Sequence, residues 1–322
     1  MKSDITIGPY KQVKANSFTW NTSLENFSDS ALIKLPAITS LKKEGDEYDR
    51  VQTGLQLKEG LKVDIKAGYD GITYTRFRGF IRRINFTVPL ELDCEGYSYQ
   101  LRKVLDFTKA YKKTTVRKML EDLTQGTDIK LSESIPHIPI DKATFKNVTG
   151  IQVLEWFKEK CLLTVYFNFD TLYVGALALE PKASQKFRLG WNVIKDNDLK
   201  FNDEKEFVDV RITIESRAKS GVKEQAYDGN VNGQNKILRT AIRDKSIQNQ
   251  IAVEKRKQLV TRGYEGSITT FLVPFVVPGD TAVIDDTKYP QRIGRYFITG
   301  VEGSFNSGGG RQKVKIGHKL SA

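Results

Sequence analysis

Gly79-Phe80-Ile81-Arg82-Arg83-Ile84, closed by Leu90-Glu91-Leu92-Asp93-Cys94-Glu95-Gly96, has an echo near the far end of the chain in Arg295-Tyr296-Phe297-Ile298-Thr299-Gly300-Val301 and Lys313-Val314-Lys315-Ile316-Gly317. The runs are rich in β-branched and aromatic residues and partly alternate apolar with polar, the pattern of a half-buried strand. Each first run follows a glycine and a short apolar strand, Gly60 with residues 63–65 and Gly279 with residues 281–284. Order and approximate spacing agree, and the copies differ mainly by the glycine-rich tip 307–310. Short strand–turn–strand motifs also recur by chance, so coincidence and duplication of one β unit are both open at this point. Under duplication, three copies of the chain place six similar units about one axis.

Outward from the first copy, residues 17–24, 31–38, 50–57, 61–67, 73–86 and 90–97 read as strands, punctuated by Gly68, Asp70 and Gly71. Six strands in about a hundred residues predict a barrel or sandwich over 1–104. The texture then changes. Thr114 or Thr115 caps a helix over 116–123, with Val116, Met119, Leu120 and Leu123 on one face and Gly126 closing it. A second helix is predicted over 149–161, and 163–169 with 172–177 form a hairpin around Asp170 and Thr171. Residues 105–190 are therefore a small mixed α/β domain. Residues 191–322 return to strands at 207–215, 266–273, 280–284, 296–305 and 311–317, with an amphipathic helix over 247–261. The Asn- and Gly-rich stretch 216–244 is predicted to be a flexible insertion. The expected fold is mainly β with an inserted α/β domain, α+β overall: two similar β-barrel domains, 1–104 and 191–322, flank 105–190.

A chain of 322 residues can hold two or three domains. With 39% hydrophobic and 28% charged residues, its composition is neither that of a disordered chain nor that of a fibrous one. The longest apolar stretches, 161–167 and 271–277, are too short to cross a bilayer, so no membrane insertion is expected. The first residues lack the apolar centre of a signal peptide, which points to synthesis in the bacterial cytoplasm. Cys94 and Cys161, far apart and with only His137 and His318 to assist them, are too sparse for a zinc site and read as small buried hydrophobes. A net charge of +12 suits a polyanionic partner, either nucleic acid or an acidic protein surface.

Catalytic chemistry finds few footholds. The acidic cluster Asp196, Asp198, Asp203, Glu204, Glu206 and Asp209 is interleaved with Lys195, Lys200 and Lys205, so it reads as a solvated face rather than a carboxylate pair for hydrolysis. His137 lies between Pro136 and Pro139 with no nucleophile motif beside it. No phosphate-loop or dinucleotide glycine motif occurs; Gly308, Gly309 and Gly310 read as a hairpin tip, and Asp285 with Asp286 as a turn. No cofactor, metal ligand or catalytic residue is assigned. Arg76, Arg78 and Arg82 share a strand parity and, interleaved with Tyr74, Phe77 and Phe80, form a basic row suited to a groove, a lumen or a subunit interface. Strand setting and the repeat make Trp20, Phe80, Ile84, Phe297 and Val301 candidates for barrel core or subunit contact.

Several of these runs also carry a family likeness. A helix ending Lys257-Gln258-Leu259, a strand to Thr270, Val277-Pro278-Gly279-Asp280-Thr281-Ala282-Val283-Ile284, Gly294-Arg295-Tyr296-Phe297-Ile298-Thr299-Gly300-Val301-Glu302 and a closing strand near Val314 together resemble the late-control protein D family of contractile-tailed phages. That family is similar to phage baseplate hub proteins and to the N-terminal hub part of type VI secretion spike proteins. A fainter echo at residues 97–101, before the helix 116–123, extends the likeness over most of the chain. The resemblance implies tube-type barrels and a structural, non-enzymatic role. It implies a homotrimer of pseudo-sixfold symmetry joining the tail tube protein to the central spike protein, in a virion tail baseplate or an assembled injection particle. A baseplate wedge or tape-measure protein would be a further neighbour, and DNA or effector cargo would pass the lumen. The stretch 216–244 has no counterpart in that pattern. Two other classes stay in view: a tail-tip β protein that binds carbohydrate or a surface, and a cell-wall hydrolase.

Overall fold

Alternating burial sets the first strands. The computed structural model describes residues 1–42, 47–175, 183–202, 210–217, 223–259 and 263–321. It opens with β1 (Lys2–Ile7), β2 (Ser17–Ser23) and β3 (Ser30–Leu35), then the hairpin β4 (Ile38–Lys42) and β5 (Tyr48–Gln52). The helical turn α1 (Thr53–Gln56) leads to β6 (Lys62–Tyr69), β7 (Ile72–Asn85) and β8 (Leu90–Glu95). Phe18 and Trp20 of β2, Ile33 and Leu35 of β3, Val63 and Ile65 of β6, and Leu90 and Leu92 of β8 share one core. Every second residue of a strand supplies it, and each large side chain so buried contributes about 1.5–3 kcal/mol. The strand predicted over 50–57 stops at β5. There Thr53 donates its hydroxyl to Pro36 O at 2.6 Å, and Gly54 lies so close to the Phe86 ring that a Cβ would collide with it.

The middle of the chain adds α2 (Ser98–Arg102), β9 (Phe107–Thr115), α3 (Val116–Thr124), β10 (Lys130–Leu131) and β11 (Pro139–Val148), followed by α4 (Gly150–Glu159), β12 (Thr164–Asn168) and β13 (Thr171–Gly175). Thr115 caps α3 by accepting from Lys118 N, and Thr149 with Gln152 forms a reciprocal capping box on α4. β12 and β13 pair antiparallel across the expected turn. β9 and β11 also pair, although neither was predicted, because their lysines mask the inward Tyr111, Ala143 and Phe145.

The last third gives β14 (Ser184–Arg188), β15 (Val193–Lys195), β16 (Lys200–Asn202), β17 (Val210–Arg217), β18 (Lys223–Gly229) and β19 (Gln234–Arg239). After these come α5 (Lys245–Leu259), β20 (Gly263–Thr270), β21 (Thr281–Asp285), β22 (Gly294–Asn306) and β23 (Gly309–Ser321). The flexible insertion expected at 216–244 needs correction. β18 pairs antiparallel and β19 parallel with the central β17, so both lie in regular sheet; residues 218–222 are outside the described ones. In β18 only Ala226 is fully buried, which is why its polar sequence reads as loop. β17 and α5 bring Val210, Ile212, Ile214, Ile251 and Ala252 into the same core as α3, α4, β12 and β13.

The remaining strands join the first group in one long sheet. Its order is β1-β6-β7-β8-β3-β2-β22-β23-β20-β15, with β21 beside β22, β14 on β21 and β16 on β20. No described sheet is closed into a ring, so the two expected barrels are not present as closed hydrogen-bonded cylinders. The order nevertheless contains a repeat: β6-β7-β8-β3-β2 corresponds to β21-β22-β23-β20 with β15 and β16. Single bonds repeat as well. Gly60 N donates to Ile81 O at 2.8 Å and Ile81 N to Leu61 O at 2.9 Å, as Gly279 N donates to Ile298 O at 2.8 Å and Ile298 N to Asp280 O at 2.9 Å. Gly60 and Gly279 both occupy the left-handed region, at φ +85° and +99°, which glycine enters without steric cost. The ladders then slip at the same place, between Ile81 and Arg83 and between Ile298 and Gly300. Phe80 and Phe297 are therefore equivalent, as are Ile84 and Val301.

Candidate functional site

The two copies of the repeat meet where β2 runs antiparallel to β22, from Phe18 opposite Phe305 to Ser23 opposite Gly300. Phe18 and Phe305 stack there with centroids 4.9 Å apart, an arrangement favourable for aromatic rings. Trp20 lies flat across Gly303; a Cβ on that glycine would come within 1.9 Å of the indole, so the backbone approach requires glycine.

Arg76 ties the two copies together from the other side. It is the extra residue where β7 slips against β6, between Phe77 opposite Ile65 and Thr75 opposite Lys66, and the bulge turns it inward beside Phe77. With 3% of its surface exposed, its Nε donates to Ala67 O at 3.2 Å, Nη1 to Gln312 Oε1 at 3.3 Å and Nη2 to Leu272 O at 2.6 Å. The guanidinium sits 5.0 Å from the Phe275 ring centre and 5.8 Å from that of Trp20. Burial lowers its pKa to about 10, which leaves it charged at neutral pH. Gln312 is itself held, donating to Pro274 O at 2.7 Å and Thr270 Oγ1 at 3.2 Å, and Tyr69 donates its hydroxyl to Gly310 O at 2.7 Å.

A cavity of about 650 Å³ runs beside the junction, lined by Asn21, Asp29, Arg82, Glu95, Glu302 and Lys313 among others. Burial pushes the Asp29 carboxyl up to about 8 against an opposing backbone hydrogen bond at Ser23. Next to it Glu95 accepts from Ser98 at 2.9 Å, from Ser28 at 3.2 Å and from Arg102 at 3.0 and 3.1 Å, fastening α2 to the turn between β2 and β3. Glu95, Ser28, Ser98 and Arg102 are satisfied by one another, an arrangement that holds strands in place.

The basic row expected from parity does not form. A bulge at Arg76 and another at Arg82 each shift the alternation by one, leaving Arg76 buried, Arg78 paired with Asp64 at 2.9 Å and Arg82 exposed. Trp20 and Val301 are core residues, and Ile84 is half-buried against the first core. Phe80 packs on Tyr97 and Tyr99, and its equivalent Phe297 stacks on His318. Of the acidic cluster, Asp196 binds Arg292 and Asp198 binds Lys313; Asp203, Glu204, Glu206 and Asp209 lie outside the described residues. Asp286 accepts from Lys288 N and Tyr289 N, the turn read from the sequence. Cys94 and Cys161 are buried thiols, and His137 is exposed. Among the described residues no group of His, Cys, Asp or Glu is arranged to hold a metal ion, and no helix is long and apolar enough to cross a membrane. Gln312 was missed as a junction residue. Its signal was present, because it shares parity with the inward Val314 and Ile316.

No family model matches the sequence, and no curated protein matches it. Solved structures do match. The 43 kDa tail protein of prophage MuSo2 from Shewanella oneidensis superposes with a TM-score of 0.68 over 98% of this chain and 98% of that one, at 13% identity. The chain shares its fold with phage tail proteins. The tail protein from Neisseria meningitidis MC58 agrees at a TM-score of 0.65, 14% identity, and coverage of 98% and 96%. The E. coli c3393 protein, a component of the type VI secretion system described as similar to the T4 tail proteins gp27 and gp5, aligns over 98% of this chain and 79% of its own, with a TM-score of 0.60 and 11% identity. In this tail-protein fold, conserved shape at such low identity means that strand order and packing carry the likeness, not a set of shared side chains. The likeness to tail and type VI secretion proteins read from the sequence therefore holds at the level of fold.

Proposed function

We propose that the chain is a structural hub protein of a contractile phage tail or a related contractile injection system. Three copies form a ring of pseudo-sixfold symmetry that joins the tail tube protein to the central spike protein, at the baseplate end of the particle. The observation that carries this reading is the repeat, matched in strand order, hydrogen bonds and bulges: a chain with two equivalent units presents six from three copies. The likeness along 98% of this chain to two phage tail proteins and to a type VI secretion component supports it. On this reading the two barrel-like units are residues 1–104 and the long-sheet strands of 191–322. The unit 105–190 stands between them and takes β17 to β19 and α5 onto its own core. A wedge or tape-measure protein would contact the ring, and DNA or effector cargo would pass through it. The site acts by holding strands together; the chemistry it offers is burial and hydrogen bonding rather than turnover.

Imaging of the assembled particle tests this. Three copies on the tube axis, between tube and spike, are expected. Six copies, or a single copy away from the axis, would overturn the reading.

A further inference from the structure

The repeat is complete at one of its two edges and incomplete at the other. β22 is flanked by β21 as far as Phe297, and from Gly300 onward β2 takes over the same edge. β7 is flanked by β6 as far as Phe80, and Ile81 bonds to Gly60 and Leu61. From Arg83 onward no strand among the described residues lies on that edge. The segment before Gly60 touches this end of β7 at Phe86, whose ring lies against Gly54, and its counterpart before Gly279 coexists with β2 on β22.

The strand that could fill this gap is also identifiable. β3 faces β8 with Ile33 opposite Leu92, and β20 faces β23 with Ile268 opposite Val314, while Ile84 and Val301 oppose the same two residues from β7 and β22. β3 and β20 are thus equivalent. β2 lies outside β3; β15 and β16 lie outside β20, and their outer edge ends the long sheet. Resting on the hub reading, we infer that β16 of one chain pairs with the open edge of β7 in a second copy, as β2 pairs with β22 within one chain. β15, whose Lys195 faces Thr269, falls beyond Asn85 at the level of Pro89. The internal pairs set the register. Asn21 lies between Ser30 and Glu302, and Lys200 lies opposite Glu265, the equivalent of Ser30. Lys200 therefore falls opposite Asn85 of the next chain, and Phe201 opposite Ile84.

Surface chemistry agrees with this pairing. The receiving edge exposes Leu55, Phe86 and Val88 by 69%, 71% and 88%, and the donating edge exposes Phe201 and Ile293. Such apolar groups at an open strand edge mark a site of association. Ile293 stands at the repeat position of Arg76, and Thr53–Gln56 stand where Leu272–Phe275 receive that arginine. The polar tie inside the chain is replaced between chains by apolar contact.

The test is oxidation of the full chain carrying Asn85→Cys and Lys200→Cys, at the highest soluble concentration. Both sites are outside the core and the native thiols are buried, so an unchanged unfolding curve verifies the fold. A covalent ladder ending at three chains is expected. The shifted pair Phe86→Cys with Lys200→Cys, which turns the two thiols to opposite faces, should give at least tenfold less. A ladder continuing past three would support the strand junction and overturn the ring. Rings seen by imaging without cross-links would overturn the junction and leave the ring standing. Monomers without cross-links would overturn the junction.

Discussion

Arg76 owes its role to one inserted residue in a ladder. Without the bulge it would share the outward parity of Arg78, and the two would form the charged strip that the sequence suggests. With it, the side chain satisfies three acceptors on both copies of the repeat. Replacing it by Met keeps the bulk and removes the donors, leaving buried carbonyls short of partners. Arg76→Met should lower stability by at least about 2 kcal/mol, read as a shift in the urea midpoint at unchanged slope. Arg82→Met, at an exposed site, should stay within about 0.5 kcal/mol. An equal effect of the two changes would refute the buried tie. Asp29 gives a pH signature of definite sign. Its folded pKa, about 8, lies above the ordinary 3.8, so between those values the folded state holds a proton that the unfolded state has released. Stability from this group is full below the ordinary value and is lost as pH rises toward about 8. Asp29→Asn should remove that decline, gaining on the native chain at pH 8 relative to pH 5 in thermal melts. A parallel pH dependence of the two proteins would mean that Asp29 is ionised in the fold.

At the scale of the element, the stretch 216–244 separates what can be read from a sequence from what cannot. α3 and α4 were legible because caps and apolar spacing are local: Thr115 and the face of Val116, Met119, Leu120 and Leu123 name their own roles, whereas the capping box of Thr149 with Gln152 shows only in the structure. The β12–β13 hairpin and the equivalence of Phe80 with Phe297 were legible for the same reason, as short patterns kept in register. β18 and β19 were not, because the strand that orders them is β17, and a sheet paired by backbone leaves its outer side chains polar. The bulges at Arg76 and Arg82 left no local mark, which is why three arginines of one parity were assigned one surface. Replacing residues 218–240 by a Gly-Ser linker should therefore take both partners from β17 and uncover the core face of α5. Loss of soluble, cooperatively unfolding protein is the expected outcome. A variant that unfolds with the native midpoint would show that β18 and β19 are dispensable.

For the molecule as a whole, the two kinds of junction differ in what holds them, and this sets an order of events. Inside the chain, β2 and β22 are joined by a ladder, stacked aromatics and the Arg76 tie. Between chains, on the proposal made above, there is a ladder and apolar contact alone, and association must also overcome lost rotational and translational freedom. Each chain carries a net charge of +12, so copies repel one another over a distance that grows as salt is withdrawn. The internal junction is buried and far less sensitive to screening. Dilution into low salt should consequently split the ring into monomers that keep both copies of the repeat packed. In measurements made together, the light-scattering mass should fall by about threefold, as closure of three chains requires, while the near-ultraviolet circular dichroism of Trp20, Phe18 and Phe305 stays unchanged. Arg76→Met should leave the dissociation midpoint in place and lower only the later unfolding. If mass and aromatic signal are lost in one transition, the junctions are equal in strength and the internal tie has no separate role in keeping the two copies of the repeat together.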